Sequence, residues 1–462
     1  MKLKREVAMR KYFGTDGIRR IANTELTPEL VYRVAKAGAY VLSKHTDHTP
    51  TILIGRDTRI SGTLIESAMT AGFLSYGANV KILGVLPTPA VAYLTKKLKA
   101  DASVVISASH NTYEFNGVKY FSNLGMKIPD SIEEEIEEVM DSGKLDEFTA
   151  CNEKIGVSEI CLDLADEYLY FFRKTFEETF EGFDKSNFTV AIDTANGATY
   201  QVAEKVFKML GIQYHILNNT PDGVNINKGC GSTHLEGLQE FVKENHCDLG
   251  IAYDGDGDRC LAVDENGEVI DGDRIMAIIS NAMKEKGTLK KDTLVATVMS
   301  NLGMKKYAEE NQIQLIQTKV GDRYVLEEML KEGYNLGGEQ SGHIIFLDYN
   351  PTGDGILTSV MLIKAMFEKQ KKASELAKII KIYPQILINA KVSSEKKNDY
   401  DKDPEIKAKI EDLEKEFSGN GRVLIRPSGT EPLVRVMIEG ENQEYITTKA
   451  KELADFIEEK LK

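Results

Sequence analysis

"TILIGRDTRISGTLIESAMTAGFLSYGANVKILG" (residues 51–84) decides the fold class. An apolar run ends in a charged, Gly-bearing loop. Ile65, Ala68, Met69 and Phe73 then recur at helical spacing until Gly77, and a second apolar run follows. That is the pattern of a strand, a helix and a second strand, the βαβ unit. It recurs in "FTVAIDTANGATYQVAEKVFKMLGIQYHILN" (188–218), where Val202, Val206, Met209 and Leu210 mark the helix and Gly211 stops it. A third copy is "DTLVATVMSNLGMKKYAEENQIQLIQTK" (292–319). Three α/β domains of similar build are expected, with sheets between helices.

Working outward, residues 140–160 are charged and weakly periodic, as a linker would be. From about 384 the pattern changes. "ILINAKVS" and "GRVLIRPSGTEPLVRVMIEG" read as strands, the latter folded at a Pro/Gly turn, and "ITTKAKELADFIEEKL" reads as a closing helix. A smaller C-terminal α+β domain is expected. The division is 1–155, 156–257, 258–375 and 376–462, with the active site in the central cleft. A chain of 462 residues is long enough for several cores.

The net charge of −14 argues against a nucleic-acid or anionic-membrane partner. No apolar run is long enough to span a bilayer. The basic start has no apolar segment behind it, so no secretory signal is read, and Met9 offers an alternative start. Five cysteines without a C-x-x-C read as reduced thiols of a cytoplasmic protein. His45 and His48 lie close together in a polar loop and read as solvated, not as zinc ligands.

In α/β units, chemistry gathers at the carboxyl ends of strands. "DGDGDRC" (254–260) follows the strand-like "CDLGIAY" and precedes "LAVDENGEVI", a hairpin by its Asn-Gly turn. At ~4 Å and an effective dielectric of about 20, each pair of converging carboxylates costs on the order of 4 kcal/mol, so a cation is called for. Asp254, Asp256 and Asp258 offer the hard oxygens that suit Mg²⁺ or Ca²⁺. An EF-hand fails because Arg259 stands where Gly is needed and strands flank the loop. Arg259 also suggests a nearby anion; a solvated acidic turn is the alternative. "VVISASHNTYEFNGVKYF" (104–121) ends a strand at Ser107–Asn111; adjacent Ser109 and His110 are poorly placed for a Ser–His hydrolase pair. "LGGEQSGHIIF" (336–346) carries carboxylate, amide and hydroxyl groups that suit a polyhydroxyl ligand, or is a plain hairpin turn. In "RPSGTEPLVR" (426–435), Arg426, Ser428, Gly429, Thr430 and Arg435 form a phosphate cradle by chemistry, against the alternative of a charged surface hairpin. No Walker loop or G-x-G-x-x-G is present.

Taken in order, "FGTDGIR" (13–19), "SASHN" (107–111), "DGDGDR" (254–259), "GGEQSGH" (337–343) and "RPSGTEP" (426–432) resemble the α-D-phosphohexomutase superfamily over nearly the whole chain. "FGTDGIR", "DGVNINKGCGSTH" (222–234) and "GEQSGH" look most like its branch acting on glucosamine 6-phosphate and glucosamine 1-phosphate. The resemblance implies four domains around one cleft. It implies one Mg²⁺ held by Asp254, Asp256, Asp258 and a phosphate oxygen on Ser109. Ser109 is implied as the phosphoryl carrier, a sugar bisphosphate as intermediate and activator, and UDP-N-acetylglucosamine synthesis as the beneficiary. Glu339 and Ser341 are implied sugar contacts, Lys119 and His343 acid/base groups, Arg19 and Arg259 phosphate-side contacts. Arg426, Ser428, Gly429, Thr430 and Arg435 are implied as the phosphate clamp. The partner is a sugar phosphate, with a homodimer as one option for assembly.

The chain departs from the family pattern at Arg20, Thr112 and Leu235, where Gly, Pro and Pro are usual. Rival readings are a phosphoglucomutase or phosphomannomutase, a non-catalytic sugar-phosphate-binding protein, and a phosphatase.

Overall fold

The computed structural model describes residues 11–14, 16–44, 46–428 and 431–462. Met9, His45, Gly429 and Thr430 therefore lie outside the described residues. All three βαβ units form as expected. Thr51–Arg56 pairs in parallel with Asn79–Val85 across the helix Gly62–Tyr76. Thr189–Asp193 pairs with Gln213–Leu217, and Thr293–Thr297 with Gln314–Thr318. Gly77 ends the first helix in the left-handed conformation, φ 104°, which a residue without Cβ adopts at little cost.

The chain divides into two compact units, 1–299 with 314–379, and 300–313 with 380–462. The first holds three mixed sheets between helices. Its six-stranded sheet runs Ile18–Ile21, Phe115–Ser122, Ala102–Ile106, Thr51–Arg56, Asn79–Val85, Ser158–Ile160. The five-stranded sheet runs Val269–Ile270, Cys260–Asp264, Leu249–Tyr253, Thr189–Asp193, Gln213–Leu217. The four-stranded sheet runs Gln314–Thr318, Thr293–Thr297, Leu336–Gly338, Ile344–Phe346. Central strands such as Ala102–Ile106 and Leu249–Tyr253 are buried at every position, as helices on both faces require. Strand pairing carries Ser158–Ile160 into the first sheet and Cys260–Asp264 into the second. A division that keeps the sheets whole thus moves the boundaries after 155 and 257 towards the C-terminus.

The second unit is a three-stranded antiparallel sheet, with Leu433–Gly440 between Gln385–Lys391 and Gly421–Pro427. Helices Pro404–Phe417 and Gln443–Leu461 contribute to its core. The first of these adds to the expected elements; Asp403 caps it by accepting from the backbone of Glu405 and Ile406, and Pro404 opens it. The five cysteines are free, with only Cys151 exposed. His48 faces Asp101 at 3.0 Å.

Candidate active site

The strand Ala102–Ile106 runs into a turn in which Ser109 adopts φ 52°, the left-handed region that β-carbon residues rarely enter. Its hydroxyl donates to Asp254 Oδ2 at 2.6 Å and its N–H to Ser107 Oγ at 2.9 Å. Ser107 in turn donates to Asp57 Oδ2 at 2.5 Å. His110 follows Ser109; burial, with help from Arg259 and Arg19, lowers its pKa to about 4, so its imidazole is neutral.

Asp254, Asp256 and Asp258 extend from the end of the strand Leu249–Tyr253, and one oxygen of each lies within 4.8 Å of the others. All three are buried. Burial, then Asp258 and Asp256, push the Asp254 carboxyl well above the usual range. Asp256 Oδ1 and Asp258 Oδ1 are buried with no hydrogen-bond partner among the described residues. Buried carboxylate oxygens without a hydrogen bond are costly unless something positive meets them, and here only Arg259 Nε, 3.9 Å from Asp258 Oδ1, approaches either orphaned oxygen among the described ion pairs. An all-oxygen donor set with such orphans fits a hard divalent cation.

The surrounding groups hold this loop in place. Thr88 donates to Asp256 Oδ2 at 2.6 Å, and Lys119 Nζ reaches the same oxygen at 2.9 Å. Lys119 also stands 3.2 Å from Asp16 and 3.7 Å from Asp258. Burial would lower its pKa, but these three carboxylates raise it and keep the ammonium charged. Asp16 and Asp322 each lie 2.6 Å from Lys127, and Asp322 is 3.5 Å from His343. His343 Nδ1 is 3.5 Å from Asp258, which closes a ring of alternating groups drawn from the first sheet, the aspartate loop and the third sheet. Burial alone would raise the Asp16 carboxyl; Lys119, Lys127 and Arg19 hold it well below the usual range. The N–H of Gly353 donates to His343 Nε2 at 3.0 Å, so both ring nitrogens are engaged within the protein. Arg19 spans Asn111 Oδ1 and Asp16 Oδ2, each at 2.9 Å. Arg259 anchors its N–H on Asp254 Oδ1 at 3.1 Å, while its buried Nε has no hydrogen-bond partner among the described residues.

The "GGEQSGH" segment is the tip of a hairpin, Leu336–Gly338 against Ile344–Phe346. Glu339 accepts from the N–H of Gly321 at 3.2 Å, and Ser341 is partly exposed. Gln340 donates to Asp271 Oδ2 at 3.3 Å, beside the start of helix Gly272–Glu285, so it shapes the turn. In the second unit, Arg426 and Arg435 sit directly opposite each other on paired strands. Burial, then Arg435, lower the Arg426 pKa. Like charges directly opposite each other are destabilising unless an anion meets them, and Glu431 stands 3.9 Å from Arg435. Ser428 Oγ there accepts from the N–H of Glu431 at 3.2 Å. Of the departures, Arg20 donates to the Lys11 carbonyl at 2.8 Å and lies over Tyr12, which takes its charge to the surface. Leu235 leads into helix Glu236–Glu244, and Thr112 is exposed.

Sequence reasoning missed Asp16, Asp57, Arg59, Thr88, Lys127, Asn227 and Asp322. Asp57 and Arg59 had a readable signal, a buried-strand end followed at once by an acid–base pair. Lys127 and Asp322 had none, because only the fold brings them together.

Family models match four successive segments: Phosphoglucomutase/phosphomannomutase alpha/beta/alpha domain I over residues 10–147, domain II over 166–267, domain III over 271–383 and the C-terminal domain over 387–456. A phosphoglucosamine mutase of Ruminiclostridium cellulolyticum is 55% identical over 98% of this chain and the whole of that protein. One of Clostridium acetobutylicum is 53% identical with the same coverage. Among solved structures, a phosphoglucomutase/phosphomannomutase family protein of Burkholderia thailandensis aligns with a TM-score of 0.80 at 20% identity, over 96% of this chain and 97% of that one. The Aspergillus fumigatus N-acetylphosphoglucosamine mutase, solved with GlcNAc-6P and magnesium, aligns with a TM-score of 0.67 at 18% identity, over 97% and 96%. With its serine turn, aspartate loop and "GGEQSGH" hairpin each at a strand end and relatives matched over their whole length, the chain belongs to the phosphoglucosamine mutases of the α-D-phosphohexomutase superfamily.

Proposed function

We propose that this enzyme interconverts glucosamine 6-phosphate and glucosamine 1-phosphate, with Ser109 as the phosphoryl carrier and a sugar bisphosphate as intermediate. The observation that carries the reading is Ser109 Oγ, set 2.6 Å from Asp254 at the mouth of three buried carboxylates. Asp254, Asp256 and Asp258 would hold one Mg²⁺, with a phosphate oxygen on Ser109 as the further ligand. Bound there, the cation supplies charge neutralisation for phosphoryl transfer.

The chain's own groups do the rest. The phosphoryl group leaves Ser109 Oγ for a sugar hydroxyl, so one O–P bond breaks as another forms, and the hydroxyl proton passes to a base. The bisphosphate turns over in the cleft, and its other phosphoryl group returns to Ser109. Lys119, held as the ammonium, is assigned to proton exchange: it gives a proton to the departing Ser109 Oγ and, as the amine so formed, takes the proton of the sugar hydroxyl. The family's acid/base role for His343 requires release of one engaged nitrogen; as found, its Nδ1 steadies Asp258. Arg19 and Arg259 face the transferring phosphate; Arg259 Nε lies 3.9 Å from Asp258 Oδ1 and makes no hydrogen bond among the described residues. Arg426, Ser428, Gly429, Thr430 and Arg435 clamp the phosphate that stays. Glu339 and Ser341 meet the ring, and the Glu339 carboxylate is the acceptor for the amino group at C2. Free bisphosphate would recharge any Ser109 that loses its phosphate.

Substrate choice is tested by comparing glucosamine 1-phosphate with glucose 1-phosphate on fully phosphorylated enzyme. A site built to pair a polar group discriminates against one that leaves it unpaired. The amino sugar should win by at least roughly tenfold in kcat/KM, about 1.4 kcal/mol of transition-state preference. A preference for glucose or mannose phosphate overturns the substrate assignment.

A further inference from the structure

Ser109 is held in its left-handed conformation by two residues from different domains. Such a conformation is unfavourable in a residue with a β-carbon, and it persists only where the surroundings over-determine it. Arg59 is 1% exposed. Its Nε is fixed by Asp57 Oδ2 at 2.8 Å. Its terminal nitrogens donate to the carbonyls of Ser109 at 3.0 Å, Asn111 at 2.7 Å and Phe115 at 3.0 Å, and also to that of Thr112. The turn is thus curled around a buried guanidinium. From the second sheet's domain, Asn227 Nδ2 donates to two of the same carbonyls, Ser109 and Asn111, each at 2.8 Å. Asn227 is 2% exposed and is itself left-handed, φ 57°, with its N–H donated to the Ala195 carbonyl at 2.9 Å. Gly255, inside the aspartate loop, packs so closely that a β-carbon there would lie 2.5 Å from the Ser109 carbonyl and 2.8 Å from Asn227 Nδ2.

We propose that Asn227 and Arg59 are positioning residues for phosphoryl transfer: they lock the Ser109 turn so that Oγ faces Asp254, and Asn227 ties that alignment to the domain that carries the aspartates. The proposal rests on the assignment of Ser109 as carrier. Neither residue needs to touch substrate. Their loss should therefore slow transfer and leave sugar-phosphate binding alone, since displacing a nucleophile by a fraction of an ångström weakens the reacting geometry and not the distant contacts.

Asn227→Asp is the sharpest probe. The side chain keeps its shape and tolerates positive φ, but it sets a carboxylate where two carbonyl oxygens expect a donor. Asn227→Gly removes the donor without adding repulsion and carries the same test if the aspartate variant fails to fold. Asn225→Asp, on the same loop, disturbs only local bonds to Asp222 and Thr220 and serves as control. Two readouts are taken: steady-state kinetics, and intact mass to follow phosphorylation of Ser109 by glucose 1,6-bisphosphate. Expected is a kcat loss of about 10- to 100-fold for Asn227→Asp, a smaller loss for Asn227→Gly, KM within about threefold, and slowed phosphorylation of Ser109 in both. Asn225→Asp should keep kcat within about twofold. Unchanged kcat and phosphorylation rate, or an equal loss in Asn225→Asp, would overturn the positioning role while wild type is still phosphorylated normally. A wild type that never gains the phosphate removes the Ser109 assignment itself, and the inference falls with it.

Discussion

Single residues carry the chemistry here by what they leave unsatisfied. Asp256 has one oxygen shared by Thr88 and Lys119 and another with no hydrogen-bond partner among the described residues, so much of its charge is left for a bound cation to answer. Asp256→Asn keeps the shape and removes the charge. The Mg²⁺ concentration for half-maximal activity should rise at least about tenfold, with the melting temperature within a few degrees of wild type. Chelated enzyme that runs at full rate without added metal would contradict a catalytic cation. At this scale the sequence was informative wherever the groups are neighbours along the chain: the three aspartates declare themselves by spacing. It was silent where partners are distant. Arg59 meets the Ser109 carbonyl across 50 positions and Asn227 meets it across 118, and no local pattern encodes either contact.

Elements place these residues at strand ends, and most elements were legible because their signals are local. Apolar periodicity and a stopping glycine marked each βαβ unit, and an Asn-Gly turn marked the hairpin Cys260–Asp264 with Val269–Ile270. The antiparallel strands at the edge of the first sheet, Ile18–Ile21 and Phe115–Ser122, follow from long-range pairing, which periodicity does not specify. The register of the hairpin Gly421–Pro427 with Leu433–Gly440 sets Arg426 against Arg435, as the proposed phosphate clamp requires. A lysine at 426 keeps the charge but not the planar fork that matches phosphate oxygens. Arg426→Lys should raise KM for sugar phosphate about tenfold, with a smaller change in kcat, because one bidentate charge-assisted contact is lost. Equal KM values in the variant and wild type would remove the clamp.

At the scale of the whole molecule, stability depends on buried ionisable groups as well as on the cores. The second unit contains a pH-sensitive group, Glu439, which is 0% exposed and accepts from Arg422, Asn301 and the Leu302 N–H. Burial pushes its pKa from 4.5 to about 7 in spite of Arg422. The folded state then holds a proton that the unfolded chain releases above about 4.5. Stability from this group is complete below that pH and is lost as pH rises through about 7, on the order of 3 kcal/mol. Relative to wild type, Glu439→Gln should therefore gain stability between pH 5 and pH 8, read from denaturant unfolding at both values; a difference that does not change with pH contradicts the shift. The central claim concerns the reaction cycle as a whole, in which one serine holds the phosphoryl group between half-reactions. Purified enzyme incubated with glucose 1,6-bisphosphate and analysed by intact mass and peptide mapping tests it most directly. The account predicts one phosphate, on Ser109, discharged by added sugar monophosphate and missing from an inactive but folded Ser109→Ala. A phosphate mapped to another residue, or an active Ser109→Ala, would contradict it.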